Sequence, residues 1–295
     1  MDSIKEGVVP VSKTQIKSKL PISQVLVNKP LAIVYAVLII CSIALCLLHD
    51  IVDHTQFQAH AWMSVWLIAS FAFNFMRLNR KQRHTISICY IASLYALLVA
   101  SRISVLLAYD DLILLTSFAL FTKILILFDV AHKDIHNQET DDQRALTKLD
   151  WHVLLVRLLI ALVFIPHCTE KLFSGPLFRN IIVQAFVAMD ITNPFMFVIT
   201  AGLCEFFASF ALSMGFLTRL TAICISIFML TATYLGDHFN IGFNWAAHGG
   251  GWEYPILWTC LLLCFAIFGP GYFSVDQALI KRYQLPKWVR RLMGV

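Results

Sequence analysis

From Pro30 onward the chain is a succession of long apolar runs, near residues 30–48, 61–76, 85–108, 112–130, 151–167, 194–214, 217–235 and 254–269. The runs are continuous rather than alternating, so they do not read as strands of a membrane barrel. A helix rising about 1.5 Å per residue needs roughly 20 residues to cross about 30 Å of hydrocarbon. In water these runs would leave far too much apolar surface exposed. Only 14% of the 295 residues are charged and 59% are hydrophobic, against roughly 25% charged in soluble domains. The mean hydropathy of +0.73 agrees. The expected fold is all-α: a polytopic membrane helix bundle with eight transmembrane helices and the lipid bilayer as its solvent. The second and eighth runs are short for a span. Residues 1–29 are polar and basic, so no signal peptide is expected.

Basic residues set the expected orientation. Lys5, Lys13, Lys17, Lys19 and Lys29 precede the first run, and Arg77, Arg80, Lys81 and Arg83 follow the second. Lys133, Arg144 and Lys148 lie between the fourth and fifth runs, Arg219 after the sixth, and Lys281, Arg282, Lys287, Arg290 and Arg291 after the eighth. Eight crossings with both termini cytoplasmic place all of these on one side. The net charge of +5 then needs no nucleic-acid partner. Hydrophilic breaks divide the chain into a basic tail (1–29), a four-helix half (30–130), a cytoplasmic connector (131–150), a second four-helix half (151–270) and a basic C-terminal tail (271–295). Residues Gly175 to Asn193 read as an outer loop with a short amphipathic or interfacial helix.

Ionisable residues inside apolar runs are costly unless paired or wet. Arg157 lies about 9 Å from the inner end of the fifth helix. Glu205 lies about 16 Å below the outer end of the sixth, or about 14 Å above the inner boundary. The difference of about 5 Å is within reach of an arginine, so the two are expected to pair. Lys123, at about 14 Å, competes for Glu205. Arg102 is expected to find Asp110 or Asp111. An Arg157–Glu205 pair either fixes helix register or forms part of a proton or substrate site.

The outer face carries His49, His54, His60, His167, His238 and His248. In the loop His238–Trp258, His238, Asn244, His248 and Glu253 stand near three consecutive glycines and are candidates to line a substrate site with His167 and Lys171. The glycines alone also suit tight turning. If helical, His49, Asp53 and His54 share one side and are the candidate ligands for a divalent metal. Of the eight cysteines, Cys168 stands near the outer face beside His167, which can lower a thiol pKa; no Cys-x-x-Cys occurs.

The segment Trp151 to Leu159 with Arg157, followed by Glu170-Lys171-Leu172-Phe173, resembles the opening of the DoxX family. Glu205, then Met214-Gly215-Phe216-Leu217-Thr218-Arg219-Leu220, resembles the family's next two helices, and Gly249-Gly250-Gly251-Trp252-Glu253-Tyr254 its last loop. The resemblance covers about residues 151–270. Where family members usually place a glycine before the lysine, this chain has Pro166-His167-Cys168-Thr169-Glu170. The resemblance implies a bacterial inner-membrane protein linked to quinone or to sulfur and thiol chemistry, with a periplasmic or membrane redox partner. In that reading it is a quinone-linked oxidoreductase subunit in which Glu205, Arg157, His167 and Lys171 are catalytic and a quinone occupies an apolar site open to the outer face. The alternatives are a non-enzymatic scaffold or transport factor, and a metal-handling protein using external His, Asp and Glu.

Overall fold

The computed structural model describes residues 28–76 and 83–295. The lysines Lys5 to Lys19 and the cluster Arg77 to Lys81 lie outside the described residues. Twelve helices, and no strand, are present among the described residues: α1 Lys29–Val52, α2 Phe57–Met76, α3 Arg83–Leu107, α4 Asp110–His136, α5 Asp141–Leu172, α6 Gly175–Val187, α7 Pro194–Met214, α8 Thr218–Leu235, α9 His238–Ile241, α10 Glu253–Phe268, α11 Val275–Arg282 and α12 Lys287–Met293. This is the all-α bundle expected of the composition. Seven of the helices are long and apolar enough to cross a membrane; α10, with 16 residues, is apolar but shorter.

Local chemistry sets the helix ends. Asp110 and Asp111 open α4 while Lys133 and His136 close it; the two carboxylates and the Lys133 ammonium each oppose the helix dipole. The Thr140 side chain caps α5 by accepting from the Gln143 amide at 3.2 Å. The connector 131–150 is consequently helical apart from residues 137–140. The fifth helix also runs past Pro166 to Leu172, extending beyond the apolar run on which the expected span ends. Residues 175–187 form the short helix expected of the intermediate segment.

Successive long helices alternate in direction. His49 of α1 meets Asp111 of α4, and Arg102 of α3 meets Glu170 of α5, on one side. Trp151 of α5 meets Asp134 of α4, and Arg219 of α8 meets the carbonyls of Ala266 and Ile267 of α10, on the other. The first is termed here the loop side, because it carries the His238–Trp258 loop; the second, carrying α11 and α12, is the tail side. One apolar core runs from Tyr35 to Phe273 and joins both halves of the chain. Large apolar side chains such as Ile33, Phe118, Phe207 and Ile267 point outward, as a lipid-facing surface requires.

Candidate functional site

The second half of the bundle is built on the contact of α5 with α7, and a glycine makes it close. A Cβ on Gly202 would lie 2.8 Å from the Lys171 Cβ and 3.0 Å from the Leu172 Cγ. Gly202 and Glu205 are three residues apart, on one face of α7. The Lys171 ammonium therefore sits 2.9 Å from both Glu205 oxygens, and the pair is largely buried. The expected Arg157–Glu205 pair does not form. Continuation of α5 through Pro166 carries Lys171 inside the bundle, where the Glu205 carboxylate of α7 takes it in place of Arg157.

Beside this pair, α5, α7, α8 and the start of α10 enclose a cavity of about 220 Å³. Val163, Phe164, Phe228, Met229 and Pro255 make its apolar wall, and His167, Glu205 and His238 bring nitrogen and oxygen to it. Thr233 also faces the cavity, but its hydroxyl donates to the Met229 carbonyl at 2.7 Å. His238 Nδ1 lies 2.7 Å from the Gly250 carbonyl. A carbonyl can only accept, so Nδ1 carries the proton and donates it to Gly250.

That bond also ties the glycine loop over the loop side. Gly249 and Gly250 have φ of +90° and +77°, the left-handed region that favours glycine. A Cβ on Gly251 would lie 2.3–2.6 Å from the carbonyl oxygens of Gly242, Phe243 and Asn244. The loop is a compact turn held by its own backbone. Asn244 accepts from the Ala246 amide, Glu253 accepts from the Trp245 amide at 3.3 Å, and His248 is exposed. Of the loop residues expected to line a site, His238 reaches the cavity wall; Asn244, His248 and Glu253 do not.

Arg157 lies at the tail side, completely buried. Its guanidinium donates to the Pro270 carbonyl, to the Phe273 carbonyl at 2.5 Å and to the Ser213 carbonyl at 3.4 Å. Asp276, also completely buried, accepts from the Leu217 amide (2.8 Å), the Thr218 amide (2.9 Å) and the Thr218 hydroxyl (2.8 Å). Burial pushes the Asp276 carboxyl above its ordinary range, opposed by those donors and by the charge of Arg157. Gly215 sits between them: a Cβ there would lie 2.5 Å from Ser274 Cβ and 2.7 Å from Arg157 Nη1. The Leu-Thr-Arg-Leu turn is thus a clasp that binds the start of α8 to the tail. Sequence reading did not find Asp276, because its partners lie 58 and 59 residues away.

The remaining intramembrane cations also differ from expectation. Lys123 donates to Asn74 Oδ1 at 2.9 Å and lies over the rings of Tyr35 and Tyr90, away from Glu205. Arg102 pairs with Glu170 rather than Asp110 or Asp111. Cys168 is completely buried, and its thiol donates to the Ile165 carbonyl, so it has no route to a partner thiol.

The metal candidates do not converge. Asp53 is extended, with φ −129°, and ends α1, so His49, Asp53 and His54 are not on one helix face. Asp53 accepts from the Thr55 amide and hydroxyl and from the Tyr109 hydroxyl; the Thr55 bonds hold its carboxyl below the usual range. His49 bonds Asp111 and stacks on Tyr109. Among the described residues no group of three or more His, Cys, Asp or Glu is placed to hold a metal ion.

These features define a polytopic helical membrane protein with a charged, partly apolar cavity on its loop side. The DoxX family model matches residues 152–238, assigning that part of the chain to the DoxX family. The match contains Arg157, His167, Lys171, Glu205 and His238, and stops short of the glycines and of α10. No curated protein and no solved structure matches the chain.

Proposed function

We propose that this DoxX-like protein is a redox-associated protein of the bacterial inner membrane, with both termini cytoplasmic, that binds a quinone head group in the loop-side cavity. The observation that carries this reading is a carboxylate clamped by an ammonium and flanked by two imidazoles in an otherwise apolar wall. At about 220 Å³ the space is below the roughly 300–1,000 Å³ of pockets that enclose whole drug-sized ligands. It suits a single substituted ring whose apolar tail remains among the lipid-facing side chains. His238 would orient the ring's polar edge. Reduction takes two electrons, supplied directly by a reduced sulfur compound or thiol that is itself oxidised, and two protons. His167 and Glu205 would relay those protons from the loop side to the ring. Lys171 is a positioning residue that holds Glu205 toward the cavity, and Arg157 has no part in the transfer.

The test is quinone reduction by the purified protein in nanodiscs, with thiosulfate, sulfide and small thiols supplied separately. Donor-dependent turnover above a protein-free control is expected, with Glu205→Gln abolishing it at unchanged folded yield. Equal turnover by that variant would remove the proton role. A scaffold or transport factor is the second reading, favoured by the tail-side clasp, in which buried charge serves only to hold backbone. Folded protein without turnover, co-purifying with one stoichiometric partner, would establish that reading instead.

A further inference from the structure

We propose that the C-terminal tail is a fixed binding site for the anionic phospholipid headgroups of the leaflet at the tail side. A basic tail is ordinarily a solvated, mobile segment, but this one is locked to the end of the bundle. Arg219 donates to the carbonyls of Ala266 (2.7 Å) and Ile267 (3.3 Å) at the end of α10 and to the Arg291 carbonyl of α12 (3.2 Å). A Cβ on Gly269 would lie 2.2 Å from the Gly294 carbonyl oxygen, so the two backbones touch at glycines. Met293 is 2% exposed, and the Val295 amide donates to the Arg290 carbonyl. One arginine therefore holds α12 against the end of the apolar, outward-facing helix α10.

What α12 presents there is basic and aromatic. Lys287, Arg290 and Arg291 are exposed and, at i, i+3 and i+4, share one face. Trp288 is 66% exposed on the same short helix, and tryptophan favours the membrane interface. Asp276, the single acidic residue of segment 271–295, is completely buried in the clasp and neutralises none of these cations. Arginine forks match phosphate oxygens in pairs, and a basic side chain near an anionic surface contributes about fivefold to its attraction. The occupant is membrane phospholipid rather than free phosphate, because the face lies at the end of outward-pointing Ile267 and Phe268. The site is independent of what the cavity binds.

The experiment measures lipid retained by the full-length protein, by native mass spectrometry from micelles containing equal phosphatidylglycerol and phosphatidylcholine. Wild type is expected to retain phosphatidylglycerol selectively. The K287Q/R290Q/R291Q variant is expected to lose on the order of 100-fold of that preference, three side chains at about fivefold each. A control, K133Q/R144Q/K148Q, is expected to keep it. A tail variant as selective as wild type, or a control that loses as much, overturns the proposal. So does removal of the lipid from wild type by millimolar inorganic phosphate, which would make this a phosphate site. Should the tail variant not fold, a photoactivatable phosphatidylglycerol on wild type decides: crosslinks concentrated at residues 287–291 support the site, and crosslinks elsewhere overturn it.

Discussion

Arg157 and Lys171 stand on the same helix, α5, about 21 Å apart along its axis at about 1.5 Å per residue, and their surroundings differ in kind. At the tail side Arg157 is enclosed, and its guanidinium is bound to three backbone carbonyls, with Asp276 bound to two amides and a hydroxyl. Hydrogen-bonding capacity is spent on chain segments that would otherwise leave polar groups buried and unmet. At the loop side Lys171 meets one carboxylate beside a cavity that also receives two imidazoles. That carboxylate retains a face toward the open space. At the tail side the charge is enclosed and committed to backbone, with the Arg157 Nε–H left without an acceptor, whereas the charge beside the cavity keeps an open face.

This contrast can be broken first at its stronger end. Arg157→Met is expected to cost about 3–5 kcal/mol, because three carbonyls and the Asp276 charge lose their compensation; thermal unfolding and folded yield in micelles read it. Survival of Arg157→Met at near wild-type stability would show that the clasp is not what holds the tail. Gly202→Ala is expected to cost about 1–3 kcal/mol by overpacking, since its Cβ would meet the Lys171 Cβ at 2.8 Å. It should also reduce turnover by moving Glu205, whereas Gly215→Ala on the tail side, opposed more closely at 2.5 Å and strained by its φ of +64°, should cost more stability and leave turnover per folded molecule unchanged. Lys171→Met is expected to cost roughly 1 kcal/mol, nearer an exposed pair than an enclosed one, because Glu205 can take water or a proton at the cavity. A double-mutant cycle with Glu205→Gln isolates the pair.

The smallest effect lies at the first loop-side turn. Thr55 holds the Asp53 carboxyl below its ordinary pKa. A lowered folded-state value means the contribution is complete above the ordinary carboxylate range and fades as pH falls through that lowered value. Hydrogen-exchange protection of the Thr55 amide should decline on acidification over that range, and Asp53→Asn should be insensitive to it.

The apolar runs were read correctly as helices because backbone in lipid must satisfy itself locally, and a run of given length leaves one way to do so. The short helix at 175–187 was legible as a helix as well. Arg157, Lys171 and Glu205 were recognisable as special, since charge in an apolar run is conspicuous, but their partners were not. The carbonyls that receive Arg157 belong to Ser213, Pro270 and Phe273, and a carbonyl has no signature in a sequence. The Arg102–Glu170 pair joins residues 68 apart, and depth arguments could not rank it above Asp110 or Asp111. The metal candidates failed on one dihedral angle, at Asp53, where the helix stops. Gly202 was overlooked although it stands one turn from Glu205.

By itself the sequence determined the solvent, the helices and the set of residues whose burial needs compensation, because hydrophobic transfer and backbone hydrogen bonding act on stretches of neighbouring residues. The tertiary structure decided which charges meet, which are bound to backbone and which face a cavity. Those outcomes depend on helix–helix approach over a few ångströms, set at places such as Gly202 and Gly215, where a missing Cβ lets two remote segments touch.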